Sequence, residues 1–166
     1  KAYQGKVIPW GTTSGERIAK ALVIAEEMKA NYIPPYDDPL VIAGQGTIGL
    51  EILETLPQVD AICVPVGGGG LLSGVALAIK LSQPAIHVYG IEPEIANDTY
   101  LSFKKGSIQT IPETKTIADG LRTSQPGEIT FPLVQKYVDD ILLVTEEEIK
   151  RTQHFILERM KQVVEP

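Results

Sequence analysis

Four consecutive glycines at 67–70 follow the apolar run Ala61-Ile62-Cys63-Val64-Pro65-Val66 and precede Leu71-Leu72-Ser73-Gly74. A backbone without Cβ atoms can approach a ligand closely and take positive φ. A helix starting there adds unpaired N–H groups and the positive end of its dipole. Strand, glycine turn and helix together predict an anion seat with a phosphate as its natural occupant. The nucleoside-triphosphate loop is excluded, since it needs G-x-x-x-x-G-K-[ST] and the first lysine after these glycines is Lys80. Main-chain donors alone suit a single phosphate monoester. The alternative is a tight turn without a ligand, against which stands the entropy that four glycines cost.

Two further stretches carry chemical possibilities. Glu92-Pro93-Glu94-Ile95-Ala96-Asn97-Asp98 sets carboxylates at the end of a strand. Glu92 and Asp98, with a carbonyl between them, either hold a hard cation or form an acidic turn in which Asn97 or Asp98 caps a short helix. Spacing by itself favours the turn. Gly44-Gln45-Gly46-Thr47-Ile48-Gly49 spells G-x-G-x-x-G, which would make the chain an NAD-binding oxidoreductase domain with Asp60 on the ribose. Against that, the apolar run 40–43 is short, and Asp60 comes early and follows no second strand. A single helix over 39–56 is the preferred reading, its glycines allowing close packing on a sheet. Each glycine costs a helix about 1 kcal/mol relative to alanine, so close packing or a nearby ligand is implied.

The elements that must position these residues follow from periodicity. Residues 61–66 read as a strand covered on both faces. A helix runs from the glycines to about Lys80, Pro84 breaks it, and 86–92 form the next strand, giving a βαβ unit and a parallel sheet. Residues 104–128 read as an irregular loop carrying Ala118-Asp119-Gly120. A short helix over 131–138 and a strand over 140–144 follow. Thr145-Glu146-Glu147-Glu148 is a capping box, and it opens a helix whose stripe Ile149, Ile156, Met160 and Val163 is expected on the sheet. Before the glycines, Lys6-Val7-Ile8 reads as a strand and Thr13 or Ser14 as the cap of a helix over 15–30. Ile18, Leu22, Ala25 and Met28 form that helix's core stripe, and 31–33 a return strand. Pro34-Pro35-Tyr36-Asp37-Asp38-Pro39 is a stiff linker between domains.

A chain of 166 residues with 43% apolar and 22% charged residues buries one core of ordinary composition. The net charge of −6 argues against nucleic acid or an anionic membrane as partner, so local donors must hold an anionic cofactor. The single cysteine, Cys63, makes no internal disulfide, reads as a small core residue and fits the cytoplasm. Residues 61–79 carry no charge, yet Pro65 and the glycines in their midst argue against a membrane-spanning helix. His87 reads as a strand histidine and His154 as a face residue, neither as a catalyst. The opening Lys1-Ala2-Tyr3, without methionine and without a signal-peptide pattern, suggests a fragment.

Val64-Pro65-Val66, the four glycines and Leu71-Leu72-Ser73-Gly74 resemble the phosphate loop of the fold-type II pyridoxal-phosphate enzymes, in the serine/threonine dehydratase and serine racemase branch. Residues 37–51 are similar to that branch's D-D-P-x-V-I-A-G-Q-G-T-I-G-x-E segment. Ile117-Ala118-Asp119-Gly120 and Val164-Glu165-Pro166 are similar to its I-A-D-G and V-E-P stretches. The resemblance runs over essentially the whole chain in the same order. It implies an incomplete three-layer α/β fold, tryptophan synthase β-like, with a mostly parallel twisted sheet and helices on both faces. Residues 1–35 would be the C-terminal part of a small mobile domain (strand-helix-strand) and 36–166 most of the large cofactor-binding domain.

The same resemblance implies pyridoxal 5'-phosphate on Gly67, Gly68, Gly69, Gly70 and Leu71, with Gly120 beside the ring and Glu165 near it. It implies Mg2+ or another divalent cation on Glu92, the Ala96 carbonyl and Asp98, which match E-P-x-x-A-x-D. The implied reaction is β-elimination of L-threonine or L-serine to a 2-oxo acid and ammonia, with serine racemisation as the alternative. The implied assembly is a homo-oligomer, dimer or tetramer. The lysine that holds the cofactor covalently lies in an S-F-K-x-R-G context in the family, and this sequence has no such stretch. Ser102-Phe103-Lys104-Lys105-Gly106 looks similar but falls out of family order and is expected in an exposed turn. The chain by itself is therefore expected to be inactive, with no catalytic residue of its own.

Overall fold

Three parallel strands in the order β1-β2-β3 organise residues 35–166: β1 (Ala61–Pro65), β2 (His87–Pro93) and β3 (Asp140–Val144). The structure, a computed structural model, describes residues 5–11 and 14–166. By its internal contacts it divides into two units, Lys1–Pro34 and Pro35–Pro166.

In register, Val64 pairs with Gly90 and Gly90 with Ile141, while Cys63 pairs with Tyr89 and Tyr89 with Asp140. Because side chains alternate along a strand, Ile62, Val64, Val88 and Ile141 share one face. There they pack with Leu72, Val75, Ala76 and Ile79 of α3 (Gly70–Ser82) and Val134 of α5 (Thr130–Tyr137). Gly90 leaves room for this packing, since a Cβ there would lie 2.5 Å from Ile141 and 2.8 Å from Leu72. α3 is apolar on nearly all sides because α2 (Pro39–Thr55) packs along it while the sheet and α5 cover the rest.

The expectation that β1 is covered on both faces is wrong. Its residues alternate exposed and buried, and Cys63 is exposed rather than in the core. β1 is an edge strand whose second face turns away from α3. Helices do lie on both faces of the sheet: α6 (Glu146–Phe155) reaches over Ile91 and Val144 on the second face, lining a cavity of about 230 Å³ with Ile149 and Ile156. Its stripe is not buried as expected. Met160 and Val163 are exposed, because the helix passes into a π-turn at Ile156–Met160 and shifts the periodicity.

Helix α4 (Asp98–Lys105) ends at Gly106, in the left-handed region at φ 74°. Ser102, Phe103 and Lys104 are therefore helical rather than in a turn, and the Ser102 hydroxyl is buried on the Asp98 carbonyl at 2.6 Å. The capping box is formed: the Thr145 hydroxyl accepts from the Glu148 N–H, and the Glu148 carboxylate accepts from the Thr145 N–H.

In the first unit the only regular element among the described residues is α1 (Ser14–Met28). Thr13 lies outside the described residues. Neither 6–8 nor 31–33 is a strand, because no described segment pairs with them. Leu22 and Met28 are exposed for the same reason, as α1 has no sheet to pack on. Ile8, Trp10, Ile24 and Tyr32 instead line a groove of about 340 Å³, with the Lys20 ammonium 4.9 Å from the Trp10 ring centre. No described helix is long and apolar enough to cross a membrane.

Candidate anion seat and buried carboxylates

The four glycines are all buried at the C-terminal tip of β1, and α3 begins on the fourth. Their carbonyl oxygens are each taken. Gly67 accepts from the Thr99 hydroxyl at 3.2 Å. Gly68 accepts from the Thr130 hydroxyl at 2.6 Å and the Gly127 N–H at 3.1 Å. Gly69 accepts from the Ser73 N–H at 2.9 Å and Gly70 from the Ser73 hydroxyl at 3.2 Å. A trans peptide is planar, so pinning one carbonyl aims the next N–H the opposite way. The N–H groups of Gly67, Gly68, Gly69, Gly70 and Leu71 meet no acceptor among the described residues. Buried amides are nearly always paired. Four of these five lie on buried glycines, and unpaired amides in a row at a helix N-terminus are an arrangement suited to an anion.

The reason these positions are glycine differs from the expected one. The missing Cβ atoms make room for protein, not for a ligand. A Cβ on Gly68 would press onto the face of the Tyr36 ring, and one on Gly70 would lie 2.8 Å from the Tyr36 Cβ. Gly69 sits at φ 92° with Thr130 behind it, and Leu121 backs Gly67 at 3.3 Å. Side chains thus fill the Cβ side of the loop while the N–H side carries the donors.

The wall beside Gly67 is the 3-10 turn Asp119–Leu121, which brings Gly120 to the loop: its carbonyl lies 3.4 Å from where a Gly67 Cβ would stand. Glu146 anchors this turn by accepting from the Thr116 hydroxyl at 2.6 Å and the Ile117 N–H at 2.9 Å. Arg122 clasps the Thr116 carbonyl through two N–H groups, at 2.8 and 2.6 Å.

Glu92 and Asp98 are fully buried next to this region. Glu92 accepts from the N–H groups of Thr99 at 3.0 Å and Tyr100 at 2.8 Å, so it serves as the cap of α4 from the preceding strand. Burial pushes its carboxyl up to about 8, against the pull of the Tyr100 N–H, and the charge of Asp98 adds to the rise. Burial likewise pushes Asp98 up to about 6, opposed by its own N–H and by the Thr123 hydroxyl 3.2 Å away. Asn97 and Asp98 make no side-chain cap themselves. Ala96, fully buried, lies between Glu92 and Asp98 in sequence. No group of three or more His, Cys, Asp or Glu suited to a metal ion occurs among the described residues.

Other expected residues lie elsewhere. Glu165 lines the cavity under α6 with Ile91 and Val144, and no described contact joins it to the glycine loop. The dinucleotide fingerprint is overturned: 44–49 lie inside α2, with no turn for a pyrophosphate. They pack α2 on α3 rather than on the sheet, since Cβ atoms at Gly46 and Gly49 would stand 3.1 Å from the Gly74 carbonyl and 3.2 Å from the Val75 carbonyl. His87 is exposed beside Asp139 at 3.3 Å, and His154 faces Glu158 at 3.3 Å.

Tyr36, Asp37, Thr99 and Thr130 were missed. Asp38 had a readable signal, an acidic residue just before Pro39 and an apolar run, and it caps α2 by accepting from the Leu40 and Val41 N–H groups. The two threonines had none. Each reaches the loop from a distant part of the chain, and a single hydroxyl has no local signature.

All 166 residues match the profile of the family described as pyridoxal-phosphate dependent enzyme. The catabolic L-threonine dehydratase TdcB of Escherichia coli (strain K12) is 47% identical over 163 residues, 98% of this chain and 50% of that protein. The serine racemase of Schizosaccharomyces pombe is 48% identical over 166 residues, 100% of this chain and 51% of that protein. The crystal structure of a T.th. threonine deaminase aligns with a TM-score of 0.93 at 44% identity, covering 99% of this chain and 55% of that one. The chain spans about half the length of the curated relatives it matches.

Proposed function

Because the chain belongs to the family of pyridoxal-phosphate dependent enzymes, we propose that residues 67–71 bind the phosphate of pyridoxal 5'-phosphate in an ammonia-lyase acting on L-threonine or L-serine. Five adjacent N–H groups without an acceptor among the described residues, four of them on buried glycines, carry this reading. Phosphate oxygens accept hydrogen bonds without donating, and here every donor is main chain, with the carbonyls of Gly67 to Gly70 held by other donors. When bound, the cofactor supplies an electron sink that acidifies the amino acid's Cα–H and permits loss of a β-hydroxyl. The chain's own part is to hold and orient the phosphate, with Gly120 walling the seat. Serine racemisation is the second reading, favoured by the S. pombe relative. Titration with pyridoxal 5'-phosphate and with pyridoxal tests the seat: the phosphate is expected to tighten binding at least tenfold, and equal affinities would overturn the proposal.

A divalent cation on Glu92, the Ala96 carbonyl and Asp98 is part of the same proposal. It is supported by two fully buried carboxylates whose ionised forms burial disfavours, a cost that an oxygen-seeking cation offsets. Calorimetry with Mg2+ or Ca2+ at pH 7 is expected to show binding with proton release, and no heat in wild type would remove the cation from the proposal.

We also propose that no lysine of this chain carries the cofactor. The nearest sequence candidate, Lys104, holds Asp140 at 2.6 Å at the opposite end of the strands from the seat. Borohydride reduction of the cofactor-loaded chain should label no single lysine stoichiometrically. Stoichiometric label on Lys104 would refute this.

A further inference from the structure

We propose that Thr130 is a positioning residue of the phosphate seat, and that Asp37 in the linker holds Thr130 in place. This rests on reading residues 67–71 as that seat. The Thr130 side chain is fully buried. Its one hydroxyl proton has two acceptors in range, the Gly68 carbonyl at 2.6 Å and the Gly127 carbonyl at 3.4 Å, and the shorter contact takes it.

The Gly68 oxygen belongs to the Gly68–Gly69 peptide, so fixing it fixes the direction of the Gly69 N–H. Glycine on both sides leaves this peptide plane with the least intrinsic restraint of any in a protein, and Gly69 already stands at φ 92°. Without the hydroxyl, only the Gly127 N–H would hold the oxygen. A second donor therefore decides whether Gly69 points its N–H into the seat in every molecule or only in part of the population.

Thr130 opens α5, which has no side-chain cap from its own N-cap residue, Ile129. Asp37 supplies the cap from a distance. Its Oδ1 accepts from the N–H groups of Ile129 at 2.9 Å and Thr130 at 3.1 Å, and its Oδ2 from that of Glu128 at 3.0 Å. The negative charge also suits the positive end of the helix. Asp37 follows Tyr36, whose ring lies against Gly68. The linker thus reaches the glycine loop twice, once directly through the ring and once through α5 and the Thr130 hydroxyl.

The test measures binding of pyridoxal 5'-phosphate, pyridoxal and inorganic phosphate to the 166-residue chain by calorimetry, with 31P NMR of the bound ester. Wild type that fails to prefer the phosphate ester overturns the seat itself. Given that preference, Thr130→Val is expected to reduce it about tenfold and to move the bound 31P resonance, with pyridoxal binding unchanged. Thr130→Ser should stay within about twofold of wild type, and Asp37→Asn should lose about threefold in the same direction. A valine variant with undiminished preference overturns the positioning role, as does a serine variant that loses as much as valine. Should Thr130→Val not fold, Asp37→Asn decides: reduced preference supports the role and unchanged preference overturns it.

Discussion

Two glycine-rich stretches lie side by side in this molecule, and they use glycine in different ways. At 44–49 the glycines sit inside α2, with backbone hydrogen bonds running along the helix, and Gly46 and Gly49 let α2 and α3 approach to backbone contact. At 67–70 the Cβ sides are also filled by protein, yet the N–H groups have no acceptor among the described residues. Close packing is common to both. What separates the proposed binding loop from the packing motif is whether the amides are consumed by a helix or left over at its start.

The largest expected effect falls on the packing motif. Gly74→Ala would press a Cβ onto the Ile42 carbonyl and place it 2.8 Å from the Gly46 nitrogen, both main chain. A loss of about 3 kcal/mol or more in urea unfolding is expected, with no phosphate-specific component. A change under about 1 kcal/mol would show that the two helices slide apart freely.

The carboxylates beside the seat come next. Glu92 is raised from 4.5 to about 8 and Asp98 from 3.8 to about 6, so between roughly pH 4.5 and 8 the folded chain binds more protons than the unfolded one. Stability contributed by their neutral forms is therefore present at low pH and is lost as pH rises through that window, on the order of a few kcal/mol in all. Asp139 and Asp140 are shifted down and act with the opposite sign, but below this window. The melting temperature without divalent cations should fall from pH 5 to pH 8, and Mg2+ or Ca2+ should restore it at pH 8. A flat or rising profile would mean that both groups titrate as though exposed.

In the binding loop, Gly69→Ala must hold φ 92° and meet the Thr130 oxygen at 2.8 Å. A cost of about 1–2 kcal/mol is expected, together with loss of the preference for pyridoxal 5'-phosphate over pyridoxal. A variant that keeps the preference would place the seat elsewhere. The smallest effect has the opposite sign. Gly44 is helical and has nothing within 4 Å of its would-be Cβ, so Gly44→Ala should gain about 0.5–1 kcal/mol in thermal unfolding. A loss there would mean that this glycine has a role the packing does not reveal.

Much of the architecture was legible. Residues 39–56 and 61–66, the helix on the glycines, the strands 86–92 and 140–144 and the capping box at Thr145 correspond to observed elements. The errors share one cause. Lys6-Val7-Ile8 has strand composition but no described partner, Cys63 sits in an apolar run whose second face stays open, and Met160 follows a π-turn that shifts the stripe. Whether an element is paired or covered depends on neighbours that local pattern does not name. Glu92 illustrates the same limit, since nothing in its local pattern shows that its carboxylate caps the helix that follows.

The sequence by itself determined where unpaired amides had to be, because a strand, four glycines and an apolar helix in that order leave them at a helix start whatever surrounds them. It also determined that no nucleoside-triphosphate loop exists, since the lysine is missing. Only the tertiary structure decided which way those amides point. Orientation is set by what grips the opposite side of each peptide, and here the grips are hydroxyls of Thr99 and Thr130 that folding brings in from far along the chain.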